Sequence, residues 1–170
     1  MESIPGKSQE AIERERFIDE IIAHTNEIFS LKGDHEQMPL NRDIIRRMLD
    51  LHPASLLWRT TPDKKLIGWL ESLPTTRELA DRFIEGEITE NEMFEATPKQ
   101  ERAEALYIGG AVVLPEYRGQ GHASRLVKEA VERIAPDPDQ KIFYWGVSDS
   151  GSKAAEAISA ELKRPFIARR

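Results

Sequence analysis

The 170-residue chain has no cysteine, which excludes disulfides, thiolate nucleophiles and cysteine-ligated metals. No apolar run approaches the ~20 residues a membrane helix needs, and the N-terminus lacks a basic start followed by an apolar core. A soluble, cytoplasmic protein with no membrane partner is therefore expected. Basic excess is missing too. The formal net charge is −6, which argues against a nucleic-acid partner and favours a cationic acceptor such as an amine. His24, His35 and His52 are spaced neither with one another nor with carboxylates as metal ligands would be, so no metal is expected. Internal repeats, low-complexity tracts and linkers are also absent. With 39% apolar content, residues 1–170 read as one domain able to bury a real core.

The most informative stretch runs from Ala105 to Ile134. Leu106 to Leu114 is nearly unbroken apolar sequence bounded by Pro115, as in a fully buried strand. From Ala123 onward, Leu126, Val127, Ala130, Val131 and Ile134 follow the i, i+3, i+4 spacing of a helix lying on a sheet. Between them, Arg118 to Ala123 can aim several backbone N–H groups at one point. The helix N-terminus adds partial positive charge, so the turn suits a phosphate or pyrophosphate. Gly119 and Gly121 let an anion approach the backbone. No Lys-Ser or Lys-Thr follows the second glycine, which excludes a Walker loop. Ser124 stands where a dinucleotide fingerprint needs its third glycine.

Arg118-Gly119-Gln120-Gly121-His122-Ala123, with its lead-in Val113-Leu114-Pro115-Glu116-Tyr117, resembles the R/Q-x-x-G-x-G/A signature of the GNAT acetyltransferase superfamily. The resemblance covers roughly residues 55 to 165. It implies an α/β fold with a mixed, splayed central sheet flanked by helices, and acetyl-CoA as cofactor. The amides of Arg118, Gly119, Gln120, Gly121, His122 and Ala123 would hold the coenzyme A pyrophosphate. The backbone of Ala111, Val112 and Val113 would pair with pantetheine, and one amide there would polarise the thioester carbonyl. Arg118, Arg125 or Lys128 could meet the ribose phosphate. The reaction implied is acyl transfer to an amine by direct attack in a ternary complex, a route the absent cysteine also favours. Glu71, at a strand end, is the candidate catalytic base. His122 is expected to point outward, and Tyr107 and Tyr144 to be core with their hydroxyls bonded.

Elsewhere the pattern is plain. Ser8 caps a helix whose apolar face carries Ile12, Ile18, Ile21, Ile22, Ile28 and Phe29, with Glu10 to Glu20 supplying a solvated charged face. Gly33 to Pro39 reads as a polar loop, and Asn41 caps a second helix ending before Pro53. Ser55 to Arg59 and Leu66 to Leu73 read as paired strands joined by a turn over Thr61 to Lys65. Pro74 to Arg102 is a helical insert that small members of the family lack. It has two capping boxes, Thr75…Glu78 and Thr89…Glu92, separated by Gly86. This insert either covers the acceptor pocket or extends the core. Lys141 to Val147 forms a further strand, and Ser148 to Ser152 turns into a last helix with Ala154, Ala155, Ile158 and Leu162.

Two features depart from the family pattern. Where members often carry a tyrosine as general acid, this chain has Glu156-Ala157-Ile158-Ser159-Ala160, which leaves that role unassigned. The sequence ends at Arg170, with at most one strand (Phe166 to Ala168) where the family usually has two. The acceptor site is then open, or another subunit completes it. Phe166 and Ile167 would need cover, so a homodimer packing near this end is expected. The departures also motivate an alternative function, a catalytically silent module that binds coenzyme A as a sensor or assembly partner.

Overall fold

The computed structural model describes residues 8–29 and 40–169. The expected Gly33 to Pro39 loop, His35 and the Phe29 side chain lie outside the described set. Element order is α1 (Gln9–Phe29), α2 (Arg42–Leu51), β1 (Leu56–Thr60), β2 (Leu66–Thr75), α3 (Arg77–Ile84), α4 (Glu90–Ala96), β3 (Ala105–Val113), α5 (His122–Ile134), β4 (Lys141–Trp145), α6 (Asp149–Leu162) and β5 (Phe166–Arg169). The strands form one mixed sheet in the order β1-β2-β3-β4-β5. The first three run antiparallel, and β3, β4 and β5 run parallel.

The caps follow from side chains that satisfy orphan helix donors. Ser8 Oγ accepts from Ala11 N–H at 3.2 Å, Asn41 from Ile44 at 3.0 Å and Thr89 from Glu92 at 3.0 Å. The first expected capping box is displaced by one residue. Strand β2 runs on through Pro74 to Thr75, which pairs with Ala105. Thr76 therefore caps α3, accepting from Leu79 N–H at 3.2 Å. Thr75 instead meets the Thr97 hydroxyl at 2.7 Å in a fully buried contact, which ties the end of β2 to the end of α4.

Each face of the sheet carries its own apolar cluster. One is built with α1 to α4 and includes Ile21, Ile45, Met48, Trp69, Phe83, Met93, Phe94 and Phe143. The other is built with α5 and α6 and includes Leu70, Leu106, Leu126, Val127, Ala130, Ile142 and Ile158. Phe83, Met93 and Phe94 are sealed from solvent, so the segment between β2 and β3 is core. On α1 the buried stripe is Phe17, Ile18, Ile21 and Thr25, whereas Ile28 is 49% exposed. The charged face of α1 ties neighbouring elements together: Glu13 pairs with Lys64, and Glu15 and Asp19 pair with Arg42.

Two irregularities shape the centre of the sheet. Glu71 faces Gly110 and Ser72 faces Ile108, so Gly109 is the extra residue of a bulge in β3. A Cβ on Gly109 would lie 3.2 Å from the Glu71 carbonyl oxygen, tight enough to favour glycine at this point. The bulge switches strand parity. Tyr107 and Val112 both face the first cluster, and Ala111 turns to the α5 side. In addition, β3 and β4 pair only from Ala105/Lys141 to Ile108/Tyr144. Beyond that rung the strands diverge, so the strand expected to be fully buried is continuously buried only from Ala105 to Tyr107, and Gly109 and Ala111 are exposed although β3 is the middle strand.

Candidate functional site

At one end of β3 a 3-10 turn over Pro115–Tyr117 leads into the glycine run. Gly119 and Gly121 adopt φ of 77° and 79°, a left-handed conformation that costs glycine least. Helix α5 starts at His122 with Gly121 as its N-cap and no side-chain cap. Among the described residues, no hydrogen bond occupies the amide N–H groups of Gly119 to Ser124. A Cβ on Gly119 would meet nothing within 4 Å. Free donors, open space and a helix N-terminus make this turn a fit for a pyrophosphate.

Two arginines hold the turn in shape. Arg118 Nε donates to the Val113 carbonyl at 3.0 Å, and Arg125 Nη1 donates to the Gln120 carbonyl at 2.8 Å. The Arg125 guanidinium lies 3.6 Å from the position of a Cβ on Gly121, beside the free amides. Lys128 pairs along the helix with Glu132 at 3.9 Å. His122 differs from its expected outward pose. Its Nδ1 is sealed from solvent and has no hydrogen-bond partner among the described residues. Burial, with Arg125 and Arg59 nearby, pushes the imidazole below its ordinary value. A groove of about 430 Å³ connects this turn to Ala111, Val112 and Val113.

The divergence of β3 from β4 opens a second space. A cleft of about 280 Å³ lies between Gly110 and Ala111 on one side and Tyr144, Ser148 and Ala154 on the other. Among the described residues, no strand pairs with the β4-facing edge of β3 past Ile108, which leaves backbone groups there for an extended ligand chain.

At the bulge, on the opposite sheet face, lies a cavity of about 30 Å³ lined by Glu71, Glu90, Tyr107, Phe94, Met48 and Gly109. That volume suits a water-sized group. Tyr107 donates to Glu90 Oε2 at 2.5 Å. Burial pushes the Glu71 carboxyl up to about 7, and the neighbouring Glu90 charge pushes in the same direction. The Trp69 indole N–H acts the other way, although its geometry stops short of a hydrogen bond. Burial, then the Glu90 charge, holds the Tyr107 phenol well above its ordinary value. A carboxylate poised near neutrality can take a proton from an ammonium group at physiological pH.

The glycine-turn residues, the Ala111 to Val113 strand and Glu71 thus lie along one strand and its immediate partner. The sequence pattern did not single out Glu90. It follows the Thr89 cap directly, and nothing in its spacing marks it as facing Tyr107. Tyr107 packs as expected, edge-on to Phe83 at 5.2 Å, but its hydroxyl belongs to the carboxylate cluster. Ser159, in the stretch where a tyrosine was expected, donates its hydroxyl to the Arg164 carbonyl and accepts from Phe166 N–H. Its role is to close the end of α6.

In a fourth cavity, of about 270 Å³, several polar side chains are engaged structurally. Arg102 bonds Asp137 and Asp139, Gln140 bonds the Ala103 and Ile134 carbonyls, and His52 accepts from Ala54 N–H. Among the described residues no group of three or more histidines and carboxylates could hold a metal, and no helix is long and apolar enough to cross a membrane.

The family model described as the acetyltransferase (GNAT) family matches residues 18–158, a span that contains the glycine turn, the strand divergence and the carboxylate cluster. No curated protein matches the chain.

Proposed function

The chain belongs to the GNAT acetyltransferase family, and from that premise we propose that it is an N-acetyltransferase acting on an amine by direct attack in a ternary complex. One observation carries the reading. The unpaired edge of β3 from Gly109 to Val113 runs between a cluster of free amides at one end and a carboxylate raised to about 7 at the other. Acetyl-CoA would supply an activated acetyl thioester. The amides of Gly119 to Ser124 would hold its pyrophosphate, supported by the helix N-terminus and the adjacent Arg125 guanidinium. The backbone of Ala111 to Val113 would bind the extended arm as a strand binds its neighbour.

Within this reading the chain's own groups divide the work. Glu71, directly or through one water in its cavity, takes the proton from the incoming ammonium and leaves a nucleophilic amine. Glu90 keeps the Glu71 carboxyl basic enough for that task, and Tyr107 holds Glu90 in place. A backbone N–H on the open edge of β3 donates to the oxygen that gains charge. The carboxylate cluster and the net charge of −6 both favour a cationic acceptor.

The test is incubation with acetyl-CoA and a panel of primary amines, read by thiol release and by the mass of the acetylated product. An acetyl adduct formed faster than in the protein-free control is the expected result. Tight coenzyme A binding with no adduct from any amine would support the silent-module alternative instead.

A further inference from the structure

Thiolate departure requires a proton, and the last helix offers no obvious donor because the Ser159 hydroxyl is engaged with Arg164 and Phe166. The cleft where β3 leaves β4 does contain one. Tyr144 occupies the final paired rung, opposite Ile108, and its side chain lines the cleft with Ala123, Val127 and Ile158. The residue is only 6% exposed. Its hydroxyl nevertheless has no hydrogen-bond partner among the described residues and is not one of the sealed polar atoms. A buried phenol normally finds a partner. Here the remaining direction for the O–H is the cleft itself.

The competing donors are weaker. Of the residues lining the cleft, the other hydroxyls are Ser148 and Ser150. Ser148 is held as the α6 cap, accepting from Gly151 N–H at 3.1 Å, and Ser150 is exposed. No carboxylate, lysine or histidine lines the cleft. A phenol is a far stronger acid than an alcohol, so Tyr144 is the suitable donor. Its ring also lies beside the bend at Gly146, where a Cβ would stand 3.9 Å from Tyr144 Cε2. This puts the phenol on the α5–α6 face of the sheet, across the strand gap from Glu71.

We propose that Tyr144 is a catalytic residue that protonates the departing sulfur, an assignment that rests on the acetyltransferase reading above. As the amine nitrogen bonds to the acetyl carbon, the carbon–sulfur bond breaks with its electron pair on sulfur. Tyr144 gives its O–H proton to that sulfur. The proton that Glu71 removes from the amine returns to the tyrosinate through solvent, so amine and thioester become amide and thiol with nothing left over. Base and acid stand on opposite faces of the sheet, and the strand gap lets them reach one reaction centre from two sides.

The test compares coenzyme A with its desulfo analogue by calorimetric titration of the wild-type protein and of Tyr144→Phe. Titrations at pH 6 and pH 9 bracket an ordinary thiol value of about 8.5. The substitution removes a hydroxyl that bonds nothing among the described residues, so the fold should be retained. A hydrogen bond to a thiolate should give wild type a preference for coenzyme A that grows between pH 6 and pH 9 to roughly tenfold or more. Tyr144→Phe should erase that preference while binding the desulfo analogue as wild type does. An unchanged preference in the variant, or none in wild type, would overturn the role of Tyr144. Failure of wild type to bind either compound would overturn the acetyltransferase reading itself.

Discussion

The two ends of β3 solve different problems by different means. The glycine turn after Val113 is built from backbone. Its free amides belong to consecutive residues, its shape needs two glycines at φ near 78°, and its arginine props are local. The carboxylate cluster at the bulge is built from side chains on three elements. Glu71 comes from β2, Glu90 from α4 and Tyr107 from β3, and they meet only because the sheet and the α3–α4 segment pack together. A contiguous backbone site suits a constant ligand group, whereas a composite side-chain site can be retuned one residue at a time.

The sharpest way to break this comparison is to damage one end and read the other. Gly121→Glu puts a carboxylate where the amides must meet an anion, and the left-handed backbone adds strain of ~1–2 kcal/mol. One like charge at about 4 Å costs on the order of 4 kcal/mol at an effective dielectric near 20. Coenzyme A affinity should fall roughly a thousandfold by calorimetry, with only a modest drop in Tm. Coenzyme A binding at wild-type strength by the folded variant would remove the turn from the account.

Glu71→Gln should do the converse. Loss of a general base lowers kcat/KM by roughly 10²- to 10⁴-fold, and coenzyme A affinity should stay as in wild type. If affinity for coenzyme A fell as steeply as turnover, the two ends would not be separable.

The pH dependence sharpens the comparison further. With Glu71 as the proposed base, kcat/KM should rise with pH through about 7. Glu90→Gln removes a neighbouring negative charge and should move that rise to lower pH. Stability changes in the opposite sense. The folded value of Glu71 lies above its ordinary 4.5, so the folded state holds the extra proton. That contribution is complete below pH 4.5 and is lost as pH rises through about 7, a change of roughly 3 kcal/mol. Denaturant melts across this range should show the decline, and Glu71→Gln should flatten it.

The smallest effect is expected at Ser159. Ser159→Ala removes two hydrogen bonds at the α6–β5 junction and should cost ~1–2 kcal/mol of stability, with kcat unchanged under saturating substrates. A large loss of kcat in a folded Ser159→Ala protein would return the proton-donor role to α6.

The same contrast explains what could be read from the sequence. The glycine turn, the strand before it and the helix after it were legible because their signals are local: an apolar run, two glycines and a 3.6-residue period. The caps at Ser8, Asn41 and Thr89 were legible for the same reason. Thr75 was misplaced as a cap because the sheet extends β2 through Pro74, a tertiary effect with no local signature. Ile28 was assigned to a buried face by periodicity, but it stands 49% exposed on the groove that also holds Val112 and Tyr117. Glu71 was read as a strand-end carboxylate, but β2 runs on to Thr75 and sets it mid-strand; its partner Glu90 lies 19 positions along the chain, and only folding brings the two together. Tyr144 read as core with a bonded hydroxyl because it lies in an apolar strand; it is buried, but its hydroxyl has no partner among the described residues. The divergence that exposes its hydroxyl depends on where β3 and β4 stop pairing.

The proposed function depends above all on the free amides at the start of α5 binding coenzyme A. The most direct measurement is a titration of ¹⁵N-labelled protein with coenzyme A, following backbone amide resonances. The amides of Gly119 to Ser124 should shift most and saturate together, with those of Ala111 to Val113 moving alongside them. Saturable binding whose shifts leave Gly119 to Ser124 untouched would contradict the proposed function.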